Sequence, residues 1–311
     1  MAVVSSDFLE GVLTQFRALY TREFSAAQAL QGWQQFAMRQ DSDGEQTTYE
    51  WFGTVPRMED VSHDQVSLRG LDEYNFSIVN KEFQAAIEVS RMALERDRLN
   101  LITPRIQQLA GEAARHPGQL IFELVEDNPA AYDGTAYFAN TRTIGESSNI
   151  DNILAGNGST VANIQTDLAE AREAMRLFED DRGRPLNLVP NAIMCHPNLE
   201  QPIWQALNVN QAGNQDRNVI PAGTNGVLQG AGYSVIVNPY LTDTNDWYTF
   251  HIGGPSMRPF VWQVEKQPVL ESDTNPTSRE NILKRKFLYS VYGRYNVGVT
   301  DPRLGVKITN S

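Results

Sequence analysis

The sequence predicts an α+β protein in which an extended, strand-rich stretch feeds one long helix. Three observations predict it. Residues 74–79 alternate like a strand, with Tyr74, Phe76 and Ile78 on one face. A second extended run, Phe83 to Val89, follows the polar break Asn80-Lys81-Glu82. Beyond it, Ile106, Leu109, Ala110, Ala113, Leu120, Ile121 and Leu124 form one apolar stripe. From 106 to 124 is a whole number of turns at about 3.6 residues each, so the stripe keeps its phase across Pro117.

Each element has a local reason. Thr103 is the expected N-cap and Pro104 the first helical residue, where a missing N–H costs nothing. Pro117 should bend the helix and Asn128-Pro129 should end it, giving one helix over 104–127. Tyr132 to Phe138 reads as a small aromatic strand, with Asp133-Gly134 as a turn signal. Tyr49-Glu50-Trp51-Phe52-Gly53 reads as a strand that pairs with the run from Tyr74 to Val89 in a projecting hairpin. A two-stranded ribbon of that length is marginal alone in water, so it needs a partner surface.

The words of this stretch are informative as words. NFSIVNKEFQAAIEVSRMALERDRLNL, AARHPGQLIFELV and AYDGTAYF resemble the major head subunit family of Mu-like bacteriophages and prophages. The resemblance is densest over 71–140. It continues more thinly over 255–299 through RPFVWQVEKQP and FLYSVYGRYNVGV, and is weak over 141–250. It implies the capsid fold named after phage HK97. The parts would be an N-terminal arm (1–41), an extended β-hairpin loop (42–88), a peripheral domain with a spine helix (89–145 and 253–311) and an inserted axial domain (146–252).

The rest of the chain fits a discontinuous plan. Phe8, Leu9, Val12, Leu13, Phe16, Leu19 and Tyr20 recur at helical spacing behind Ser6 or Asp7, and Ala26 to Met38 reads as a second short helix. This block either packs on the main core or reaches onto a neighbouring subunit; the resemblance favours the arm. Residues 41–48 read as a polar linker and 139–160 as a loop with a mobile tip. A helix over 163–180, a strand over 186–194, a helix from Pro197 and strands at 227–229, 233–237 and 247–252 define the second unit. The polar stretch 208–225 should line an axis of the assembly. Strands at 260–264, 287–295 and 297–299 return to the first unit. Loops at 139–150 and 253–255 and the Pro117 bend are the expected hinges.

Composition narrows the class. The chain has 311 residues, 41% of them hydrophobic, enough for two modest units with a good core. No run of apolar residues is long enough for a membrane span, and MAVVSSDFLEGVL lacks the pattern of a secretion signal. One cysteine, Cys195, excludes an internal disulfide framework and suits a reducing cytoplasm. The net charge is −12, and the single basic cluster, Lys284-Arg285-Lys286, reads as a guarded strand edge rather than a nucleic-acid stripe. A container wall that does not grip DNA suits an acidic balance.

No chemistry is expected. His63, His116, His196 and His251 have no ligand spacing. Cys195 and His196 are neighbours on a strand and point apart. His116 should serve backbone carbonyls freed at the helix bend. Glu179-Asp180-Asp181 reads as a solvated turn, Gly156-Asn157-Gly158-Ser159 lacks the lysine of a phosphate loop, and Lys81 reads as a surface lysine. Catalytic, cofactor-binding and metal residues are therefore none.

The expected function is that of a major capsid subunit. It would form pentamers and hexamers of an icosahedral head around double-stranded DNA, without sequence-specific binding and without a membrane. A separate scaffold or protease, a portal and decoration proteins are the partners the resemblance implies. The virion is its place, after assembly in the host cytoplasm. An encapsulin-like nanocompartment shell and a soluble two-domain hydrolase are the alternatives.

Overall fold

The computed structural model describes residues 6–52, 73–90, 99–207, 232–254, 257–273 and 278–310. Two long antiparallel strands, β9 (Phe260–Asp273) and β10 (Lys286–Val299), form the centre of a four-stranded sheet. β1 (Ala37–Asp41) adds in parallel to β9, and β4 (Lys81–Ser90) adds antiparallel to β10. The inner faces of these strands carry Phe260, Trp262, Val264, Phe287, Tyr289, Val291 and Tyr295, all buried. Helix α2 (Leu99–Asp127) lies on that face, and helix α1 (Ser6–Ala29) packs against α2.

A five-stranded sheet forms the second unit. Its order is β5 (Ile153–Ala155), β11 (Gly305–Thr309), β8 (Trp247–Phe250), β6 (Ala192–Cys195) and β7 (Ser234–Val237). Helices α3 (Val161–Leu177) and α4 (Glu200–Leu207) cover it, burying Ile164, Leu168, Ala171, Met175 and Ile203 against Ile193, Val306 and Ile308. Thr160 caps α3 by accepting from Asn163 N. The short helix α5 (Arg279–Lys284) lies in the β9–β10 connection. Two strands stand apart as a ribbon: β2 (Gln46–Phe52) paired antiparallel with β3 (Glu73–Val79).

The chain 1–41 is not a free arm over its described part. Val12, Phe16, Tyr20 and Phe24, one turn apart on α1, are buried against Ile102, Ile106, Leu109 and Ala110 of α2. Each such side chain contributes about 1.5–3 kcal/mol, so the helix is held on its own body. α1 runs unbroken through Ala29, and residues 32–35 form a short 3-10 turn before β1. The run Phe83 to Val89 is not a ribbon strand; it is β4, an edge of the main sheet. Thr103 is not an N-cap, because α2 begins at Leu99 and Pro104 lies inside it. Burial of Ile102 holds that first turn despite the hydrogen bond Pro104 cannot donate.

Tyr132 to Phe138 is a turn rather than a strand, tied by a single bridge between Ala130 and Ala136, with Gly134 at φ 79°. The residues 139–152 are not a slack loop, since Arg142, Ser147, Ile150 and Asn152 are buried. The return segment 253–311 does not stay with the first unit: its last strand, β11, sits between β5 and β8 of the second. Residues 271–280 contribute the end of β9 and the start of α5 rather than one loop, and β10 is continuous where two strands were expected. The expected strand at 227–229, the axis loop 208–225, the residues 53–58, His63 and the hinge residue Pro255 lie outside the described residues.

Candidate functional site

The ribbon of β2 and β3 is seated on the outer face of the main sheet through a small polar hub. β9 reads Phe-Val-Trp-Gln-Val at its start, so Val261 and Gln263 face away from the apolar core. Gln263 is nevertheless fully buried, because the ribbon covers it. Its Oε1 accepts from the Tyr49 hydroxyl at 2.7 Å. Its Nε2 donates to the Ile78 carbonyl at 3.1 Å and to Asn80 Oδ1 at 2.7 Å. Asn80 Nδ2 in turn donates to the Gly44 carbonyl at 2.7 Å and to Ser42 Oγ at 3.1 Å. Asn296, which faces Gln263 in register on β10, donates to the Val79 carbonyl at 2.7 Å. Every amide group of Gln263 thus has a partner, which a buried polar side chain requires. Burial pushes the Tyr49 hydroxyl up to about 12, so it stays a donor.

Next to the hub the seat is apolar. Gly298 lies opposite Val261, and a Cβ there would stand 2.5 Å from Ile78 Cδ1 and 3.3 Å from Phe76 Cε1. The absent side chain is what admits the ribbon. At this base the ribbon meets the body through Tyr49 and residues 76–80.

The spine is gripped at its proline. Trp33, in the turn after α1, packs on Gly118 so closely that a Cβ on the glycine would overlap the indole. Trp33 also meets Trp262 of β9 edge-on, with centroids 5.2 Å apart. α2 runs continuously through Pro117. His116 does not serve freed carbonyls; its Nδ1 lies 2.8 Å from the Tyr295 hydroxyl, and Phe83 packs on both rings.

The two units are joined by buried polar residues. Arg142, whose side chain is fully buried, pairs with Asp133 at 2.7 Å and donates to the carbonyls of Thr135, Ala136 and Tyr137. Asn152 receives the N–H of Ala139 and donates to the carbonyls of Tyr137, Pro302 and Gly305. Arg142 locks the turn after α2 in place, and Asn152 binds that turn to the C-terminal segment. Sequence reasoning passed over Gln263, Arg142 and Asn152. The only signal for Gln263 was a polar residue inside an aromatic strand; Arg142 and Asn152 looked like loop polarity.

The residues weighed for chemistry stay apart. Cys195 is buried, its thiol pushed up to about 12 by burial and then by Glu200, while His196 leaves the strand and accepts from Asn198 N. Asp180 pairs with Arg184, and Glu179 accepts from Ser148 N. Lys286 pairs with Glu88 across β10 and β4, and β10 is an inner strand rather than an edge. Lys81 is exposed on β4. Among the described residues no group of His, Cys, Asp and Glu could hold a metal ion, and no helix is long and apolar enough to cross a membrane.

A central sheet with a spine helix, a base-seated ribbon and a second sheet closed by the C-terminal strand has known counterparts. A Mu-like prophage FluMu major head subunit from Haemophilus influenzae is 26% identical over 188 residues, covering 60% of this chain and 58% of that protein. The major capsid protein of Escherichia phage Mu is 31% identical over 104 residues, 33% of this chain and 34% of that protein. The matches thus span less than two thirds of either relative. The procapsid of bacteriophage JBD30 superposes with a TM-score of 0.54 at 16% identity, over 97% of this chain and 76% of that one. A virus-like particle from Pyrococcus furiosus superposes with a TM-score of 0.54 at 10% identity, over 95% and 98%. The architecture is α+β and is the capsid fold named after phage HK97. The family described as phage capsid protein matches residues 77–308, which takes in the end of β3, the spine, most of both sheets and the Asn152 junction, and the chain belongs to that family.

Proposed function

We propose that this protein is a major head subunit that self-assembles into a closed shell around phage double-stranded DNA. The observation that carries the reading is the ribbon, seated by Tyr49, Ile78 and Gln263 at its base. A pair of strands with so little sheet around it is marginal in water, and a neighbouring copy is what completes it. Many weak contacts between unlike surfaces of identical copies then close into rings and a curved wall. The role is structural, with no catalysis, and the net charge of −12 keeps the wall from gripping the DNA it encloses.

In this reading the four-stranded sheet with α1 and α2 forms the peripheral part of the subunit. The five-stranded sheet forms the part that converges at capsomer centres, and its territory includes the last strand, β11. Pentamers and hexamers, a portal, a scaffold or protease and decoration proteins belong to the same proposal. Negative-stain imaging and size-exclusion chromatography of the purified chain test it. Particles far larger than one subunit are expected, and a stable monomer at every concentration sinks the reading. Nucleic acid inside particles recovered from infected cells is expected; an enzyme cargo there would instead mark a nanocompartment.

A further inference from the structure

The two ends of the long β9–β10 sheet carry opposite surface chemistry. At one end α5 leaves Ile282 and Leu283 62% and 69% exposed. Lys284, Arg285 and Lys286 follow at once, all exposed. Residues 279–286 hold four basic side chains and one acidic, in a chain whose net charge is −12. Arg285 takes φ 52°, a left-handed backbone that glycine or asparagine adopts with less strain. A long cation kept in a strained helix-ending position points to a use for its charge.

Toward the other end, ten residues back along β9 at Gln263 and about 33 Å away by the rise of a strand, lies the ribbon base. The turn there exposes Asp43 and Glu45. Beside them Val79 is 48% exposed, paired with Gln46. An acidic rim next to a bare aliphatic side chain is the complement of a basic rim next to two of them.

We propose that the basic tip of one copy, Ile282 to Arg285, docks on the acidic ribbon base of a neighbouring copy, at Asp43, Glu45 and Val79. The contact joins opposite ends of the same sheet, so it is head-to-tail, and such contacts propagate into rings when the rotation closes. Charge steers the approach, and the aliphatic groups supply the area that leaves water. The proposal rests on the shell-subunit reading and deepens it.

The test is a charge swap read by sedimentation velocity, with circular dichroism and thermal melting as the check on folding. Lys284→Glu with Arg285→Glu should cut the fraction of protein in particles at least tenfold, and so should Asp43→Lys with Glu45→Lys. All four changes in one chain should restore it, and Ile282→Ser with Leu283→Ser should also impair assembly. Particle formation undiminished by either charge-reversed pair overturns the contact while leaving the shell reading intact; a tip that serves DNA instead would give that result. A folded, non-assembling single reversal that the fourfold variant does not rescue also overturns it. A wild-type chain that never assembles overturns both readings.

Discussion

The Tyr49 hydroxyl reaches across from the ribbon to Gln263 Oε1 on the main sheet, at 2.7 Å, and this bond is the centre of the ribbon's seat. Tyr49→Phe keeps the ring and strands a buried acceptor. Leaving such a group unpaired costs about 1–3 kcal/mol. Since the lost partner lies at the ribbon base, hydrogen exchange should speed up across β2 and β3 while β9 and β10 stay protected. Uniform exchange across the sheet in the variant would show that the ribbon is held elsewhere.

Gly118 sets two effects against each other. Alanine in a helix interior is favoured over glycine by about 1 kcal/mol. Yet a Cβ at this position overlaps the Trp33 indole, which is itself 2% exposed and pinned by Trp262. Overpacking a filled core typically costs about 1–3 kcal/mol, so the clash should win. Gly118→Ala should lower the urea midpoint and alter tryptophan fluorescence, whereas a raised midpoint would show that the indole yields.

The spine also carries a titratable group. Burial holds the His116 imidazole below its ordinary value, against the opposing pull of Glu123 and Glu112. The folded state therefore prefers the neutral ring, and the unfolded chain binds the proton first as pH falls. The stability this group contributes is present above the unfolded value of about 6.5 and is lost as pH falls below it. Thermal melting between pH 7.5 and 5 should fall more steeply for the wild type than for His116→Gln. Parallel curves would remove His116 from the account.

Arg142 and Asp133 form a buried ion pair, and three backbone carbonyls depend on the same guanidinium. Arg142→Met should cost about 3–5 kcal/mol, because it leaves the Asp133 charge uncompensated. Adding Asp133→Asn should recover part of that loss. Chemical denaturation of the single and double variants gives the coupling, and strict additivity would show that the pair acts independently.

Much of the architecture was legible because it is written in local periodicity. The stripe from Ile106 to Leu124 defines α2, and the helices from Val161 and after Pro197 follow their own apolar spacing and caps. What was not legible is set by distant partners. Phe83 to Val89 alternates just as a ribbon strand would, and only its register with Lys286 to Tyr295 makes it an edge of the main sheet. Residues 305–309 carry no mark of the second unit, yet they complete its sheet between β5 and β8. Asp133-Gly134 makes the turn its residues predict, whereas the aromatic residues around it imitate a strand; Tyr137 and Phe138 are aromatic because they fill the core. The ribbon seat was missed for the same reason: Gln263 looks like a misplaced polar residue until Asn80 and Tyr49, far apart in sequence, arrive beside it.

Helix α1 packs on α2 of its own subunit, which leaves the ribbon as the element that needs a neighbour. Truncating it tests that need most directly. The chain should be compared with a version in which residues 47–78 are replaced by a short glycine-serine linker, both imaged by electron microscopy and sized in solution. Particles from the full chain, and a folded variant that remains a monomer, are the predicted pair of results. Particles of normal size from the shortened chain would contradict the account.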